Sequence, residues 1–307
     1  MFNKVLLTGS FRVFLTLFSN GHVTITRENK RKLHAEIDSI LQSLADLDKI
    51  PGAVIMIKKD GKIIHRKTYG FAQKYDSNHE ILNHPEKMES SHLFDIASLT
   101  KVIGTTTSIM LLTDRGLISI EDPVFKYIKA FDTPEKRMVY DSTLGFTVKE
   151  IDPARWNGRR TYILKGEVND GNAWYANEGI SGAAGLFSTA DDMQRIVDML
   201  ISKGTIDTKQ FISSRIIESF LTKDKFNNAL GWMMDPVNSF IKNAPEGSFG
   251  HTGFTGTSIS VIPEEKISVI LLINRQNTGL DDNGEYYNVN PVRLQVINAV
   301  LKYLCNN

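Results

Sequence analysis

The sequence predicts an α+β fold in which an antiparallel sheet is flanked by helices. Three observations predict this fold: an amphipathic helix pattern near the start, strand-like apolar runs that border tight turns, and an amphipathic helix pattern at the C-terminal end. Of the 307 residues, 41% are hydrophobic and 23% are charged, which is ordinary for a globular protein with a substantial core. Because 36 basic residues balance 35 acidic ones, we expect no nucleic-acid partner.

The helices and strands follow from local patterns, taken in chain order. Residues 32–47 place their apolar side chains on one helical face. Residues 53–70 then give two strand-like runs around Asp60-Gly61, a strong hairpin signal. A second helix is predicted from Ser98 to Arg115, because apolar residues continue until a glycine stop.

The second half of the chain returns to the sheet after a more helical region. Residues 120–230, approximately, are predicted to form a helical and loop-rich lobe, which contains a well-marked helix within 187–204. Two further strands are predicted around a polar turn at Pro263–Lys266. Residues 291–304 close the chain as an amphipathic helix. We therefore expect one domain over residues 30–307.

The first 29 residues form an N-terminal extension that resembles a signal peptide, because Lys4 precedes an apolar run. Arg12 interrupts that run, and no A-x-A cleavage site follows. The extension favours a periplasmic or other extracytoplasmic location and leaves a cytoplasmic one open. No later segment has the roughly 18 uninterrupted apolar residues of a membrane helix. The single cysteine, Cys305, excludes an intrachain disulfide.

Ser98 and Lys101 form the first motif with chemical content. At a spacing of three they share one helical face, and the amides of a helix N-terminus favour a developing oxyanion. Apolar neighbours are expected to bury Lys101 and to lower its pKa, which would make it a proton acceptor. A second Ser-x-x-Lys match, at Ser239–Lys242, lacks this context. The plainer alternative is a surface lysine that follows an N-cap serine.

His251-Thr252-Gly253 is the second motif, and it is predicted to open a strand of small residues that lets the backbone approach a ligand. The plainer alternative is a turn histidine. His79 and His84 are five residues apart, so they do not share a helical face as metal ligands would, and we assign them to a solvated loop. Phosphate-binding, dinucleotide-binding and zinc-protease motifs are absent from the sequence. We therefore expect neither a metal nor a cofactor.

These motifs, in this order, resemble the serine β-lactamase and penicillin-binding-protein superfamily, in particular its class C β-lactamase-like and esterase-like branch. The resemblance implies a β-lactamase/transpeptidase-like fold. Six segments carry the resemblance, namely 51–72, 94–128, 164–174, 179–193, 247–257 and 271–280.

The resemblance implies a role for each motif residue. Ser98 would be the acylated nucleophile and Lys101 its partner base, while His251 replaces the more usual lysine of the third motif. The backbone N–H groups of Ser98 and Phe254 would form the oxyanion hole, beside the substrate-binding residues Thr252 and Gly253. Loss of one such donor typically costs about 10²–10³ in rate.

Two acidic residues of the segment 164–174, Glu167 and Asp170, allow two interpretations. They could be paired carboxylates for glycoside chemistry, but the resemblance makes them residues of a loop that lines the site.

The chain departs from the family pattern between Lys129 and Asp152. Residues 139–146, VYDSTLGF, look like the family's tyrosine motif with one extra residue, so Tyr140 is the candidate catalytic tyrosine. Asp141 or Ser142 would be its polar companion. Only about forty residues separate Ser98 from Tyr140, fewer than the resemblance implies. The alternative is that Tyr140 belongs to a surviving strand or turn and never reaches the site.

The resemblance implies a serine acyl hydrolase that acts on D-alanyl peptides of a peptidoglycan kind, β-lactams or small esters. His251 favours an esterase or peptidase over a β-lactamase, because a lysine would hold a substrate carboxylate better at neutral pH. Two alternatives remain open. The chain could be a pseudoenzyme that binds ligand without turnover, or the shortened chain could fail to fold stably.

Overall fold

The computed structural model describes residues 25–129, 160 and 162–305. In chain order its strands are β1 (Gly52–Lys59), β2 (Lys62–Tyr75), β3 (Ile81–Lys87), β4 (Phe94–Asp95), β5 (Phe187–Ser188), β6 (Thr205–Ile206), β7 (Lys209–Gln210), β8 (Phe249–Thr252), β9 (Ser258–Ile262) and β10 (Ile267–Ile273). The α-helices are α1 (Arg27–Asp46), α2 (Thr107–Asp114), α3 (Gly171–Ala176), α4 (Ala190–Ile201), α5 (Ser214–Phe220) and α6 (Asn290–Leu304). A π-helical segment spans Lys101–Thr106, and two 3₁₀ segments span Val124–Lys126 and Arg275–Thr278.

One six-stranded antiparallel sheet, in the order β3-β2-β1-β10-β9-β8, forms the centre of the fold. Two small antiparallel pairs accompany it, β4 with β5 and β6 with β7. The predicted fold class, an antiparallel sheet flanked by helices, is confirmed. The β1–β2 hairpin turns at Asp60-Gly61, as the sequence predicts.

Both faces of the sheet are buried. Successive residues of a strand point to opposite faces, and each face of this sheet packs against its own hydrophobic cluster. In β1, Val54 and Met56 join one hydrophobic cluster, whereas Ala53, Ile55 and Ile57 join the other. Residues of α2, α4 and α5 belong to the first cluster, and residues of α1 and α6 belong to the second. The sheet is therefore packed between two layers of helices, and each fully buried isoleucine stabilises the fold by about 1.5–3 kcal/mol.

Most of the predicted helices are confirmed. Helix α1 begins after its N-cap Thr26, and α4 begins after Thr189, whose hydroxyl oxygen accepts a hydrogen bond from the Asp192 amide at 3.1 Å. The helix predicted from Ser98 to Arg115 is confirmed, since helical residues run from Leu99 to Asp114. Within it Lys101–Thr106 have π-helical geometry and continue directly into α2, and the Thr107 hydroxyl donates to the carbonyl of Val102, five residues earlier, at 3.0 Å.

One strand prediction and one loop prediction need correction. The segment after His251 is not a continuous strand, because β8 ends at Thr252 and residues 253–257 form a turn before β9. That turn forms because the hydroxyls of Thr255 and Thr257 donate to carbonyls outside the sheet. The loop predicted around His79 and His84 is also wrong in part, since His84 lies in strand β3.

The signal-like character of the N-terminal extension and the domain boundaries remain predictions, since residues 1–24 lie outside the described residues. Among the helices that the structure describes, none has the length and apolar content needed to cross a membrane.

Candidate active site

Ser98 lies in a turn between β4 and the π-helical segment, half-buried. Ala97, immediately before it, has a φ of +47°, a left-handed conformation that residues with a Cβ seldom adopt. Two backbone bonds close the turn, from Leu99 N–H to the Ile96 carbonyl at 3.0 Å and from Thr100 N–H to the Ala97 carbonyl at 2.9 Å. Ser98 is therefore presented by a strained turn that leads directly into the helix, whose first residue is Leu99.

Lys101 contacts Ser98 directly. Its Nζ atom lies 2.9 Å from Ser98 Oγ and donates to the carbonyl oxygen of Ala183, also at 2.9 Å. The predicted burial of Lys101 is wrong, because its side chain is exposed. The physical reason is that the side chain leaves the apolar cluster that holds Val102 and extends along the polar loop that carries Ala183.

The loop around Ala183 is held against the nucleophile region by three hydrogen bonds. Ile96 N–H donates to the Leu186 carbonyl at 3.0 Å, and Leu186 N–H donates to Thr100 Oγ1 at 3.1 Å. Thr105 Oγ1 donates to the Gly182 carbonyl at 2.7 Å. The carbonyl that accepts from Lys101 is thus in a fixed position.

His251 lies at the end of β8 and is 7% exposed. Burial lowers the pKa of its imidazole, and the Lys101 charge also lowers it, against the effect of the hydrogen bond to the Thr252 carbonyl. The ring is therefore neutral at pH 7. Because a carbonyl oxygen only accepts, Nδ1, 2.8 Å from that oxygen, carries the proton and Nε2 carries a lone pair.

The turn at residues 253–257 follows His251 and carries Phe254. Gly253 N–H donates to the Thr257 carbonyl at 2.8 Å, which closes the turn. A Cβ at Gly253 would overlap Thr257 Oγ1 and lie 2.6 Å from the Ile96 carbonyl oxygen. Only glycine allows this close approach between the turn and the segment that carries the nucleophile.

The two motifs meet at one cavity of about 310 Å³. Its lining includes Ser98, His251, Thr252, Gly253 and Phe254, all of them predicted site residues. Within the described parts of the chain, the backbone amides of Ser98 and Phe254 donate to no protein acceptor. Two N–H donors are therefore available beside the Ser98 hydroxyl.

Two arginines that the sequence analysis missed line the same cavity. Arg293 is 7% exposed and donates to the carbonyls of Gly253 at 3.1 Å and Thr257 at 2.9 Å, while its Nε atom has no partner among the described residues. Burial, with the charge of Arg275, lowers the pKa of Arg293 to about 10. The one feature of the sequence that could have pointed to Arg293 is the presence of a basic residue within the apolar pattern of α6.

Arg275 is the second of these cations, at the mouth of the cavity. Its Nε donates to the Phe254 carbonyl at 2.8 Å, and its NH1 donates to the Tyr287 carbonyl at 3.1 Å. The guanidinium carbon lies 4.8 Å from the Phe254 ring centroid and 5.7 Å from that of Tyr286. In the part of the chain that the structure describes, neither arginine forms an ion pair with a carboxylate.

Asp95 is a third residue that the sequence analysis missed, and it lies in β4, three residues before Ser98. Its Oδ1 accepts from Ala97 N–H and its Oδ2 accepts from Asn169 N–H, each at 2.8 Å. Burial raises the pKa of this carboxyl group, although both backbone bonds act in the opposite direction.

Three other considered residues, Glu167, Asp170 and Ser239, do not line the cavity. Tyr140, the candidate catalytic tyrosine, lies outside the described residues. Asp170 caps α3 by accepting from Ala173 N–H at 2.8 Å, and Glu167 accepts from the Tyr162 hydroxyl at 2.9 Å, so the two carboxylates have separate partners. Ser239 Oγ donates to Asn290 Oδ1 at 3.3 Å.

Metal binding finds no support in the described residues, which contain no group of three or more candidate metal-ligating side chains. A larger cavity, of about 630 Å³, lies beside α4 and the start of β10. Its lining contains none of the predicted site residues, and its charges include the paired Lys58 and Asp198. The smaller cavity beside Ser98 is therefore the candidate active site.

Comparison with known proteins agrees with this geometry. A family model described as Beta-lactamase matches residues 37–140 and 143–293. An N-acetylmuramyl-L-alanine amidase of Bacillus subtilis is 25% identical over 355 residues, which cover 78% of this chain and 80% of that protein. A provisionally named D-alanyl-D-alanine carboxypeptidase of Salmonella gallinarum is 23% identical over 396 residues, with 89% of this chain and 90% of that protein covered.

The crystal structure of a class C β-lactamase in complex with cefoxitin has the same fold, with a TM-score of 0.57 and 14% identity over 88% of this chain and 99% of the β-lactamase. Both sequence alignments, of 355 and 396 residues, exceed the 307 residues of the chain. The two relatives therefore contain residues inside the aligned span that have no counterpart here. The match to the family model breaks at residues 141–142.

Proposed function

The chain belongs to the Beta-lactamase family, a family of serine hydrolases, and from this premise we propose that it is a serine acyl hydrolase with Ser98 as nucleophile. One observation carries the proposal: Lys101 Nζ lies 2.9 Å from Ser98 Oγ. A base within hydrogen-bond distance is what a serine hydroxyl needs to attack a carbonyl carbon.

The first step is acylation. Lys101, in its neutral form, accepts the Ser98 hydroxyl proton as Oγ bonds to the carbonyl carbon of the substrate. The carbonyl oxygen becomes an oxyanion and accepts from the amides of Ser98 and Phe254, which are available beside the cavity. When the tetrahedral intermediate collapses, the leaving group departs with a proton and Ser98 is left acylated.

His251 is the proposed partner for that proton transfer. Its Nε2 lone pair can take the proton from Lys101 and return it to the leaving group, or take one from the water that cleaves the acyl-enzyme. Tyr140 remains the other candidate for this role. Lys101 and His251 are coupled, since the lysine charge lowers the pKa of the imidazole.

We propose an acyl substrate that carries an anionic group. The lysine usual at the third motif is replaced by a neutral His251, yet Arg275 and Arg293 supply positive charge to the same cavity. Two relatives are named for peptidoglycan chemistry, as an amidase and a D-alanyl-D-alanine carboxypeptidase. D-Alanyl peptides, which end in a carboxylate, therefore rank ahead of neutral esters.

A second candidate function is a pseudoenzyme that is acylated slowly and does not turn over. The break in the family match at residues 141–142 favours it, because Tyr140 lies at that break.

Turnover separates the two candidates. The purified chain and its Ser98→Ala variant are incubated with a p-nitrophenyl ester and, separately, with a peptide that ends in D-alanyl-D-alanine. A hydrolase releases nitrophenol or D-alanine over many cycles, and the variant does not. Slow release of one equivalent without further release supports the pseudoenzyme. Equal turnover by the Ser98→Ala variant contradicts both.

A further inference from the structure

We infer that Asp95 is a positioning residue for the nucleophile: its carboxylate holds Ala97 in the left-handed conformation that presents Ser98 to the cavity. The inference rests on the proposed function, in which Ser98 is acylated. Asp95 does not line the cavity, so it acts through the backbone of its neighbours.

The first observation is that both carboxylate oxygens serve backbone amides on either side of the site. Oδ1 accepts from Ala97 N–H, and Oδ2 accepts from Asn169 N–H, each at 2.8 Å. Asn169 belongs to the loop before α3, and its side-chain oxygen accepts from Gln276 Nε2 at 3.1 Å. One carboxylate therefore joins the nucleophile turn to a loop far away in sequence.

The second observation is the strain at Ala97. A φ of +47° is unfavourable for a residue with a Cβ, so the turn needs compensating contacts to keep it. Ala97 is 5% exposed and precedes Ser98 directly. If Ala97 relaxed to a negative φ, the Ser98 hydroxyl and amide would both turn away from their present positions.

The third observation ties the same segment to the second amide donor. Thr255 Oγ1 donates to the Asp95 carbonyl at 2.8 Å, and Thr257 Oγ1 donates to the Ile96 carbonyl at 3.2 Å. Both threonines follow Phe254 in the turn after β8. The position of Asp95–Ala97 therefore sets the spacing between the amides of Ser98 and Phe254.

The test is the Asp95→Asn variant, which keeps the side-chain size but places an N–H₂ group against one of the two backbone N–H donors. We expect the maximal rate of labelling by a fluorophosphonate to fall about 10²-fold, as a misplaced reacting group does, while the concentration for half-maximal rate stays the same. Adding Ala97→Gly to Asp95→Asn should raise the maximal labelling rate about tenfold, because glycine adopts a positive φ without the energetic cost that alanine bears.

The matched control is Asp76→Asn. Asp76 Oδ1 also accepts from two backbone amides, those of Asn78 at 2.8 Å and Glu80 at 2.9 Å, but in the turn between β2 and β3. Its labelling rate should equal that of the wild-type chain. Wild-type labelling by Asp95→Asn, or a loss that Ala97→Gly does not restore, would overturn the inference and leave the proposed function intact.

Urea unfolding of the wild-type chain, Asp95→Asn, Ala97→Gly and the double variant tests the same contact without relying on activity. We expect the fall in the urea midpoint caused by Asp95→Asn to be smaller when residue 97 is glycine. Additive shifts would overturn the inference. A wild-type chain that is never labelled would instead overturn the proposed function, and the unfolding cycle would still decide whether Asp95 holds Ala97.

Discussion

Ser98 Oγ and Lys101 Nζ lie 2.9 Å apart, and the lysine is fixed in that position by a second bond of 2.9 Å to the Ala183 carbonyl. A surface lysine beside an N-cap serine would have no reason to be bound on both sides. The fixed amino group faces a hydroxyl that opens onto the cavity shared with His251 and Phe254.

Removal of the lysine should disable acylation. For Lys101→Met we expect ester turnover to fall by about 10²–10⁴-fold, because the Ser98 proton loses its acceptor. The measurement is kcat/KM with a p-nitrophenyl ester. Lys242→Met, in the second Ser-x-x-Lys match, is the control and should keep wild-type activity; an active Lys101→Met variant would show that another group takes the proton.

A methyl group at Gly253 should displace the turn that carries the Phe254 amide. Gly253→Ala should lower the free energy of unfolding by about 1–3 kcal/mol through overpacking and abolish turnover by the folded fraction. The control is Gly247→Ala, at a φ of +83° with open space around the added Cβ. Gly247→Ala should cost about 1–2 kcal/mol in the same urea titration and keep turnover. Equal activity loss in both variants would argue against the close approach at Gly253.

Arg275 should select anionic substrates. For Arg275→Ala we expect kcat/KM to fall about 10–100-fold for a substrate with a free carboxylate, the loss expected for a hydrogen bond to a charged group. The methyl ester of the same substrate is the internal control, because it cannot form the charged contact. An equal fall for both substrates would assign Arg275 to support of the Phe254 turn alone.

His65 should make the fold less stable in acid. Burial lowers the pKa of His65 to about 4, helped by the nearby His34, although Asp38 raises it. As the pH falls, the His65 imidazole is therefore protonated near pH 6.5 in the unfolded chain but only near pH 4 in the folded chain. The free energy of unfolding consequently falls as the pH drops through this window. The buried His251 adds a loss of the same sign.

Urea unfolding at pH 7.5 and pH 5 measures this dependence. In His65→Gln the difference between the two pH values should shrink, and in His84→Gln, whose imidazole is exposed, it should remain that of the wild-type chain. An unchanged pH dependence in His65→Gln would contradict the account of this histidine.

The fold was predictable from sequence because its elements depend on local patterns. The helix α1, the turn at Asp60-Gly61 and the helix α4 have caps, periodicity and turn residues that act within a few positions. The same holds for the Ser98–Lys101 pair, whose spacing is three residues.

The rest of the site depends on contacts between distant segments. The roles of Ala97, Asp95 and the two cavity arginines depend on hydrogen bonds between segments that are far apart in the sequence, from residue 95 to residue 293. The π-helical turn at Lys101–Thr106 is likewise set by packing, since Gly104 lies against Leu186. No pattern within one segment contains this information.

The central claim, an activated Ser98, is tested most directly by intact-mass measurement after incubation with a fluorophosphonate and, separately, with a penicillin. The wild-type chain, Ser98→Ala and the control Ser239→Ala are compared. We predict one adduct on the wild-type chain and on Ser239→Ala, and none on Ser98→Ala. An adduct that persists on Ser98→Ala, or a wild-type chain that neither reagent labels, would contradict the claim.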